Sequence, residues 1–212
     1  IHSQENMVEV HCADGSVFQA DFAICTIPFS VLRDIDIKPA LPPLQAQAVQ
    51  ELPYTSITKI FLSVLSPFWQ KDGYPPQMWT DTTLERIFPL KNASGEIETL
   101  LGWIDGENAI KIDAMPMQQL ATFIKSELAR IRPATEGNVE IARLVSWGND
   151  PFAKGAYSHF APEQISTFVK DLAKPWQRIH FAGYHTAIKY PGMEGALKSG
   201  ERAATEILDR IA

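Results

Sequence analysis

Lys59 and the residues around Gly183 are the positions of this sequence whose types and settings could do chemistry. Lys59 is the one cation in the apolar run 58–65, and burying an ammonium group without a function is costly. Gly183 ends the apolar run 179–182, and an amphipathic helix is predicted to begin near Met193. A strand, a glycine turn and a helix N-terminus can together bind an anion or a polarised carbonyl, because the first N–H groups of a helix are unpaired and lie at its positive end.

The elements that must position these residues follow from the periodicity of the sequence. The predicted strands are 7–12, 17–26, 58–65, 99–104 and 139–147, and the predicted helices are 44–52, 116–131, 162–173 and the C-terminal helix. Asp14-Gly15 predicts a hairpin turn between the first two strands. The final helix is predicted to pack through the face that carries Leu197, Gly200, Ala204 and Leu208. Because strands and helices mix without strict alternation, the predicted class is α/β with α+β character and a mixed sheet.

Composition excludes several classes of partner. With 212 residues, of which 45% are hydrophobic, the chain can bury the core of one sizeable domain or one and a half small ones. A net charge of −6 without a basic run argues against nucleic acid and anionic membranes as partners. We expect no signal peptide, and the sequence contains no apolar stretch near the roughly 20 residues that span a bilayer. The two cysteines, Cys12 and Cys25, lie in strand-like runs, and we expect a reduced, cytoplasmic protein.

The C-terminal segment contains sequence motifs that resemble those of a known protein family. F-A-G-x-H-T, P-G-M-E-G-A and S-G-E-R-A-A follow one another between residues 181 and 204. This run resembles the closing signature of the flavin-containing amine oxidases, which include monoamine oxidases and L-amino acid oxidases. The resemblance extends over nearly the whole chain in family order. It implies an FAD-dependent oxidase that converts an amine or L-amino acid to an imine while O2 is reduced to H2O2, with homodimers as a further expectation.

The resemblance implies roles for Lys59 and for the segment that begins at Trp147. In relatives, the lysine at the Lys59 position holds a water against flavin N5 and assists the reaction of reduced flavin with O2. The run W-G-N-D-P-F…G-A-Y is similar to a family segment whose aromatic residue, here Tyr157, forms one wall of a cage that orients the amine. Ala156 stands where covalently flavinylated relatives have cysteine, so we expect non-covalent FAD. The alternatives are a solvent-facing Lys59 and a core tyrosine at Tyr157.

Further residues are expected to bind the cofactor. Gly183 resembles the glycine that lets the backbone approach FAD, and the Met193 N–H is expected to point to the N1/C2=O edge of the flavin. Val8 resembles a valine near the adenine, although a plain core residue is the alternative reading. The other candidates are Trp147, Tyr184, His185, Gly192 and Glu194; for Glu194, a residue that only complements the helix dipole is the alternative.

The sequence departs from the family pattern in the C-terminal turn. Relatives usually have glutamate where Tyr184 or His185 stands. Gly192 occupies the place of a second cage tyrosine, so this wall is either missing or supplied by Tyr190. His2, His11, His159 and His180 show no metal-ligand spacing, so no metal site is expected.

The expected domain organisation places residues 1–38 and 147–212 with the FAD domain and 39–146 in a substrate-binding domain. The G-x-G-x-x-G turn that begins the FAD site of relatives is not in this sequence. We therefore expect a fragment or processed subunit that needs a missing N-terminal half. The alternatives are a non-catalytic truncated chain or flavoprotein subunit, and a carotenoid-type desaturase or protoporphyrinogen oxidase, which Lys59 and the segment from Trp147 disfavour.

Overall fold

The computed structural model describes residues 1–187, 189 and 192–212, which form two compact units. Unit 1 comprises Ile1–Tyr54 and Tyr157–Ala212, and unit 2 comprises Thr55–Ala156. The strands are β1 (His2–Ser3), β2 (Val8–His11), β3 (Val17–Ala20), β4 (Ala23–Cys25), β5 (Tyr54–Thr55), β6 (Ile57–Val64), β7 (Met78–Trp79), β8 (Arg86–Lys91), β9 (Ile97–Asp105), β10 (Val139–Ser146), β11 (Tyr157–Ser158) and β12 (Ile179–Phe181). The helices are α1 (Phe29–Leu32), α2 (Pro43–Glu51), α3 (Trp69–Asp72), α4 (Gly106–Asp113), α5 (Met117–Ile131), α6 (Gln164–Phe168) and α7 (Gly192–Ile211).

Unit 2 is built on a five-stranded sheet in the order β10-β6-β9-β8-β7, and every pairing in it is antiparallel. Side chains alternate between its faces, so that Ile60 and Leu62 of β6 are buried in the core while Lys59 and Phe61 are only half-buried. The core face also packs the apolar stripe of α5, whose buried residues are Leu120, Ile124 and Leu128. The opposite face of the sheet is therefore the one that offers functional groups.

Unit 1 contains a parallel pair, β4 and β12, and a three-stranded antiparallel sheet, β1-β2-β3. Its core joins β2, the β4–β12 pair and helices α1, α2 and α6 through large buried side chains such as Phe29, Phe168 and Phe181. The hairpin predicted at Asp14-Gly15 is present, with the Gly15 N–H bonded to the Cys12 carbonyl. β12 ends at Phe181, and the buried Ala182 connects it to Gly183.

The chain enters and leaves unit 2 at neighbouring points. In unit 2 the Ala156 N–H donates to the Thr55 carbonyl at 2.8 Å, and in unit 1 the His159 N–H donates to the Pro53 carbonyl at 3.0 Å. One hydrogen bond thus joins the two ends of unit 2, and another joins the two segments of unit 1.

The expected fold class, which combines helices with sheets, is confirmed. The strand directions are segregated rather than mixed within one sheet, because parallel pairing occurs in the β4–β12 pair and unit 2 is antiparallel. The predicted boundaries at 38/39 and 146/147 differ from the divisions of the contact-defined units, which lie at 54/55 and 156/157. The assignment of the two units to FAD and substrate domains stays a prediction.

The predicted face of the C-terminal helix is wrong. Gly195, Ser199 and Ala203 are the buried residues of α7, whereas Leu197 and Leu208 are 62% and 60% exposed. The small side chains let the helix pack closely on the rest of unit 1, so its larger apolar side chains lie on the outer side. Within the described part of the chain, no helix combines the length and apolar character that a membrane crossing requires.

Candidate functional site

Lys59 lies in a cross-strand row of cations and tryptophans on the half-exposed face of the unit 2 sheet. The register places Lys59 opposite Trp103, Trp103 opposite Arg86, and Arg86 opposite Trp79. Lys59 Nζ is 4.4 Å from the centroid of the Trp103 ring, and the Arg86 guanidinium carbon is 5.9 Å from that of Trp79. An ammonium over an indole is attracted by the negative ring face. Lys59 is thus a half-buried cation in aromatic surroundings.

Arg86 is already neutralised by acidic side chains. Its guanidinium forms an ion pair with Asp105 and a weaker one with Glu85 at 3.6 Å. Asp105 also accepts a hydrogen bond from Trp103 Nε1 at 2.7 Å. Because Asp105 satisfies Arg86 and anchors Trp103, the net positive charge of the row is concentrated at Lys59.

Asp113 positions the segment that begins at Trp147. Its carboxylate accepts hydrogen bonds from the hydroxyls of Thr58 and Ser146, both at 2.6 Å. A Cβ at Gly148 would lie 3.4 Å from the same carboxylate and 3.0 Å from Ser56 Oγ, so the backbone passes close to both groups. Asp113 was not nominated from the sequence, because α4, which carries it, was not predicted.

Trp147 continues the line of β10 at the end of the strand pair that carries Lys59. Its N–H donates to the Ile57 carbonyl at 2.9 Å, and its carbonyl accepts from the Gly155 N–H at 2.8 Å. Its side chain is 38% exposed. The loop from Trp147 to Gly155 is therefore closed on itself, and Asp150 within it accepts from the Phe152 N–H.

In unit 1, the turn after β12 requires glycine at position 183. Gly183 has φ 125° and ψ 158°, a region that is essentially restricted to glycine. A Cβ there would meet the His185 ring at 2.5 Å. The Gly183 N–H donates to Ser199 Oγ of α7 at 2.8 Å, and the Gly183 carbonyl accepts from the Thr186 N–H at 2.9 Å. The turn is thereby fixed to the helix.

A second set of contacts ties β12 to α7. Arg202 donates to the Phe181 carbonyl at 2.5 Å and to Glu206 Oε1 at 2.6 Å. The other oxygen of Glu206 lies 2.8 Å from Nδ1 of His180, a side chain with no exposed surface. These polar contacts hold the helix in register with the strand.

His185 is buried beneath the Gly183 turn. Its ring packs edge-on against Phe29, with centroids 4.5 Å apart. Burial lowers the pKa of His185 to about 4, because the interior disfavours the charged imidazolium. Among the described residues, Nε2 of His185 has no hydrogen-bond partner. His185 is therefore neutral at pH 7 and keeps one unsatisfied ring nitrogen.

Tyr184 anchors the segment that carries Tyr157. The Tyr184 hydroxyl accepts a hydrogen bond from the Ser158 N–H. Burial raises the pKa of Tyr184, and the nearby phenol of Tyr157 raises it further. Tyr157 itself is 42% exposed, so it is a surface aromatic of unit 1 rather than a core tyrosine.

The first turn of α7 is open. Gly192 has φ 69°, Met193 is 91% exposed, and Glu194 is also exposed. The first N–H groups of a helix have no partner within the helix and lie at its positive end, so the start of this 20-residue helix favours a negatively charged partner. Tyr190, predicted as a cage wall, lies outside the described residues.

Val8 is 1% exposed and packs into the core of unit 1.

Among the other nominated residues, the structure brings Gly183 and His185 together with Ser199, and it places Tyr184 next to the Tyr157 segment. Lys59 belongs to the sheet of unit 2, and Trp147 directly follows strand β10 of that sheet. Trp103, the aromatic partner of Lys59, was not nominated from the sequence, because the register between two strands cannot be read from one strand alone.

Comparisons with known proteins agree on one family. The sequence profile of the family described as "Flavin containing amine oxidoreductase" matches residues 1–208. YobN of Bacillus subtilis (strain 168), whose own assignment as an L-amino-acid oxidase is provisional, is 31% identical over 96% of this chain and 45% of YobN. An L-amino-acid oxidase of Protobothrops flavoviridis is 28% identical over 92% of this chain and 40% of its own length.

Solved structures show the same fold. The cyclohexylamine oxidase from Brevibacterium oxydans superposes with a TM-score of 0.83 at 21% identity, over 99% of this chain and 47% of that one. A putrescine oxidase redesigned at its cofactor site gives a TM-score of 0.84 at 23% identity, with coverage of 99% and 47%. The chain spans about half the length of the relatives it matches. On the profile match over residues 1–208, this chain belongs to the flavin-containing amine oxidoreductase family.

Proposed function

We propose that this chain is part of an FAD-dependent oxidase that converts an amine or an L-amino acid to an imine. The substrate loses two electrons and two protons as its C–N single bond becomes a double bond, and O2 takes up two electrons and two protons to give H2O2. Family membership supports flavin oxidase chemistry, and relatives named as L-amino-acid, cyclohexylamine and putrescine oxidases support an amine or amino acid as substrate.

The residues of unit 1 fit a cofactor with an anionic edge. Bound FAD would supply the two-electron oxidation and the route of those electrons to O2. The exposed first turn of α7 at Met193 lies at the positive end of the helix dipole, and the buried Nε2 of His185 lacks a partner among the described residues. Ala156 has no nucleophilic atom, which supports non-covalent binding. The G-x-G-x-x-G turn that the sequence lacks would come from a further segment of polypeptide.

Lys59 is the observation that carries the proposal. Its ammonium group, 4.4 Å from the Trp103 ring centroid on the half-exposed sheet face, would stabilise the negative charge that O2 gains as it is reduced. We infer that unit 2 is the substrate domain and that Tyr157 of unit 1 orients the amine. Tyr157 is suited to that task because its ring is partly exposed and the segment that carries it is anchored by Tyr184.

Replacement of Lys59 by methionine tests this role. In the FAD-bound protein reduced without oxygen, we expect Lys59→Met to slow reoxidation by O2 by about 100-fold or more, since one preorganised charge is removed. Stopped-flow absorbance of the flavin measures the rate. Lys91→Met is the matched control, because Lys91 is an exposed lysine of β8.

Unchanged reoxidation in Lys59→Met would refute the role of Lys59. The visible spectrum of the purified protein and its intact mass come first, followed by a peroxide assay on a panel of amines and L-amino acids. A colourless single chain that ignores added FAD would mean an isolated domain fragment, whose proposed function then belongs only to the longer protein. Failure to bind FAD in any assembly would contradict the proposal and favour a non-catalytic subunit.

A further inference from the structure

His2, Glu9 and His11 converge on the outer face of the three-stranded sheet of unit 1. His2 of β1 lies directly opposite Glu9 of β2, and His11 is two residues beyond Glu9 on the same strand. Residues two apart on a strand share a face, as do directly paired residues. Val8, by contrast, is buried on the core side of β2. Strand pairing thus groups two imidazoles and a carboxylate that are separated in sequence.

The distances suit a shared ion. The nitrogen and oxygen atoms that these three residues can offer all lie within 4.8 Å of one another, and the two imidazole centroids are 4.7 Å apart. Metal–nitrogen bonds of about 2.0–2.1 Å require ligand atoms about 3.3 Å apart in a tetrahedral site. His11 Nε2 and Glu9 Oε2 are already 3.3 Å apart. The remaining gap can close by small rotations of partly exposed side chains.

The carboxylate of Glu9 is held in place by two amides. Gln19 Nε2 donates to Glu9 Oε1 at 2.8 Å, and Gln4 Nε2 donates to Glu9 Oε2 at 3.3 Å. Such outer partners orient metal ligands and strengthen binding. The two amides thus hold the Glu9 carboxylate in one orientation, which the solvent-facing side of a strand would not need.

We propose that His2, Glu9 and His11 form a binding site for one borderline divalent cation of the Zn2+ class. Imidazole nitrogens select such ions over Mg2+ and Ca2+, and a three-residue set leaves a position for water. The ion would fasten β1 to β2. This site belongs to unit 1 and is independent of the proposed oxidase activity.

The test is metal binding to the intact protein and to single variants. Calorimetry with Zn2+, and the visible spectrum of Co2+ as its substitute, are expected to show one bound ion. His2→Gln, Glu9→Gln and His11→Gln are each expected to weaken binding by about tenfold or more. His159→Gln, which lies outside this sheet, is the matched control and is expected to bind as the unchanged protein does.

Two further measurements keep the result decisive. Thermal melts establish that each variant is folded, which we expect because the three side chains face away from the core, and Zn2+ is expected to raise the Tm of the unchanged protein but not that of His11→Gln. NMR of the imidazole nitrogens is expected to show Zn2+ shifts at His2 and His11. Absence of binding, equal affinity in the ligand variants, or shifts at other histidines would overturn the proposal.

Discussion

His185 combines a buried imidazole with a turn that leaves it no room to move. Its ring lies against Phe29 and directly under Gly183. Protonation would place a charge in this interior, which is why the pKa of His185 is lowered to about 4 from an ordinary 6.5. The folded protein therefore resists protonation at a residue that the unfolded chain protonates readily.

This difference makes stability depend on pH. Between pH 6.5 and about 4 the unfolded state binds a proton at His185 that the native state does not, so the free energy of unfolding decreases as pH falls. The stability present above pH 6.5 decreases by about 3 kcal/mol as pH falls through 4. Urea unfolding from pH 4 to 7.5, compared between the unchanged protein and His185→Gln, measures this contribution.

The variant serves as the control for all other titrating groups, since they remain in both proteins. Parallel pH profiles of the two proteins would contradict the expectation. So would an NMR titration in which the His185 ring protonates near pH 6.5.

At the scale of elements, the β12–turn–α7 connection depends on one glycine. Gly183→Ala is expected to lower the free energy of unfolding by about 1–3 kcal/mol, because its backbone conformation is unfavourable for other residues and its Cβ would meet the His185 ring. Gly200→Ala is the matched control within α7. A Cβ at Gly200 meets nothing within 4 Å, so alanine is expected to stabilise the helix by about 0.5–1 kcal/mol.

Chemical denaturation of both variants measures the two opposite shifts. A Gly183→Ala protein as stable as the unchanged one would mean that the turn rearranges without cost. Loss of stability in Gly200→Ala would mean that this position of α7 is more closely packed than the structure has it.

Apolar spacing predicted that these helices exist more reliably than it predicted which face of each is buried or where each one ends. α5 was predicted from its apolar spacing, and its buried residues Leu120, Ile124 and Leu128 recur at helical intervals. In α7 the same reasoning selected Leu197 and Leu208, because periodicity identifies an apolar stripe but not whether that stripe or a row of small residues meets the neighbour. The predicted helix 162–173 is only Gln164–Phe168, preceded by Glu163 in a left-handed conformation.

The candidate site was predictable where a motif carries it and not where strand register carries it. The motif positions Gly183 and Tyr157 could be nominated from sequence, and their roles stay predictions. The Lys59–Trp103 contact and the grouping of His2 with Glu9 arise from cross-strand pairing over long sequence separations. Such pairing depends on how the sheet assembles, and residue spacing within one strand does not contain it.

For the whole molecule, the division into two units makes a prediction about folding. Unit 2 is one continuous segment, Thr55–Ala156, with its own buried core. A domain of this size can bury enough apolar surface to fold alone. We expect the isolated segment to unfold cooperatively in a thermal melt and to give a well-dispersed NMR spectrum. A broad, non-cooperative melt with strong binding of a hydrophobic dye would contradict this.

Where the chain passes from one unit to the other, hydrogen bonds join the two ends of each unit. This arrangement bears on whether unit 2 can be exchanged between related proteins. Backbone hydrogen bonds join Ala156 to Thr55 and, next to them, His159 to Pro53. The first and last residues of unit 2 are therefore neighbours in space. Joining nearby ends costs little loop entropy whatever the length of the insert. A homologous insert with a differently lined sheet could therefore replace unit 2 as one continuous segment, while the β12–α7 connection stays intact. Under the proposed function, such an exchange is expected to change which amines are accepted.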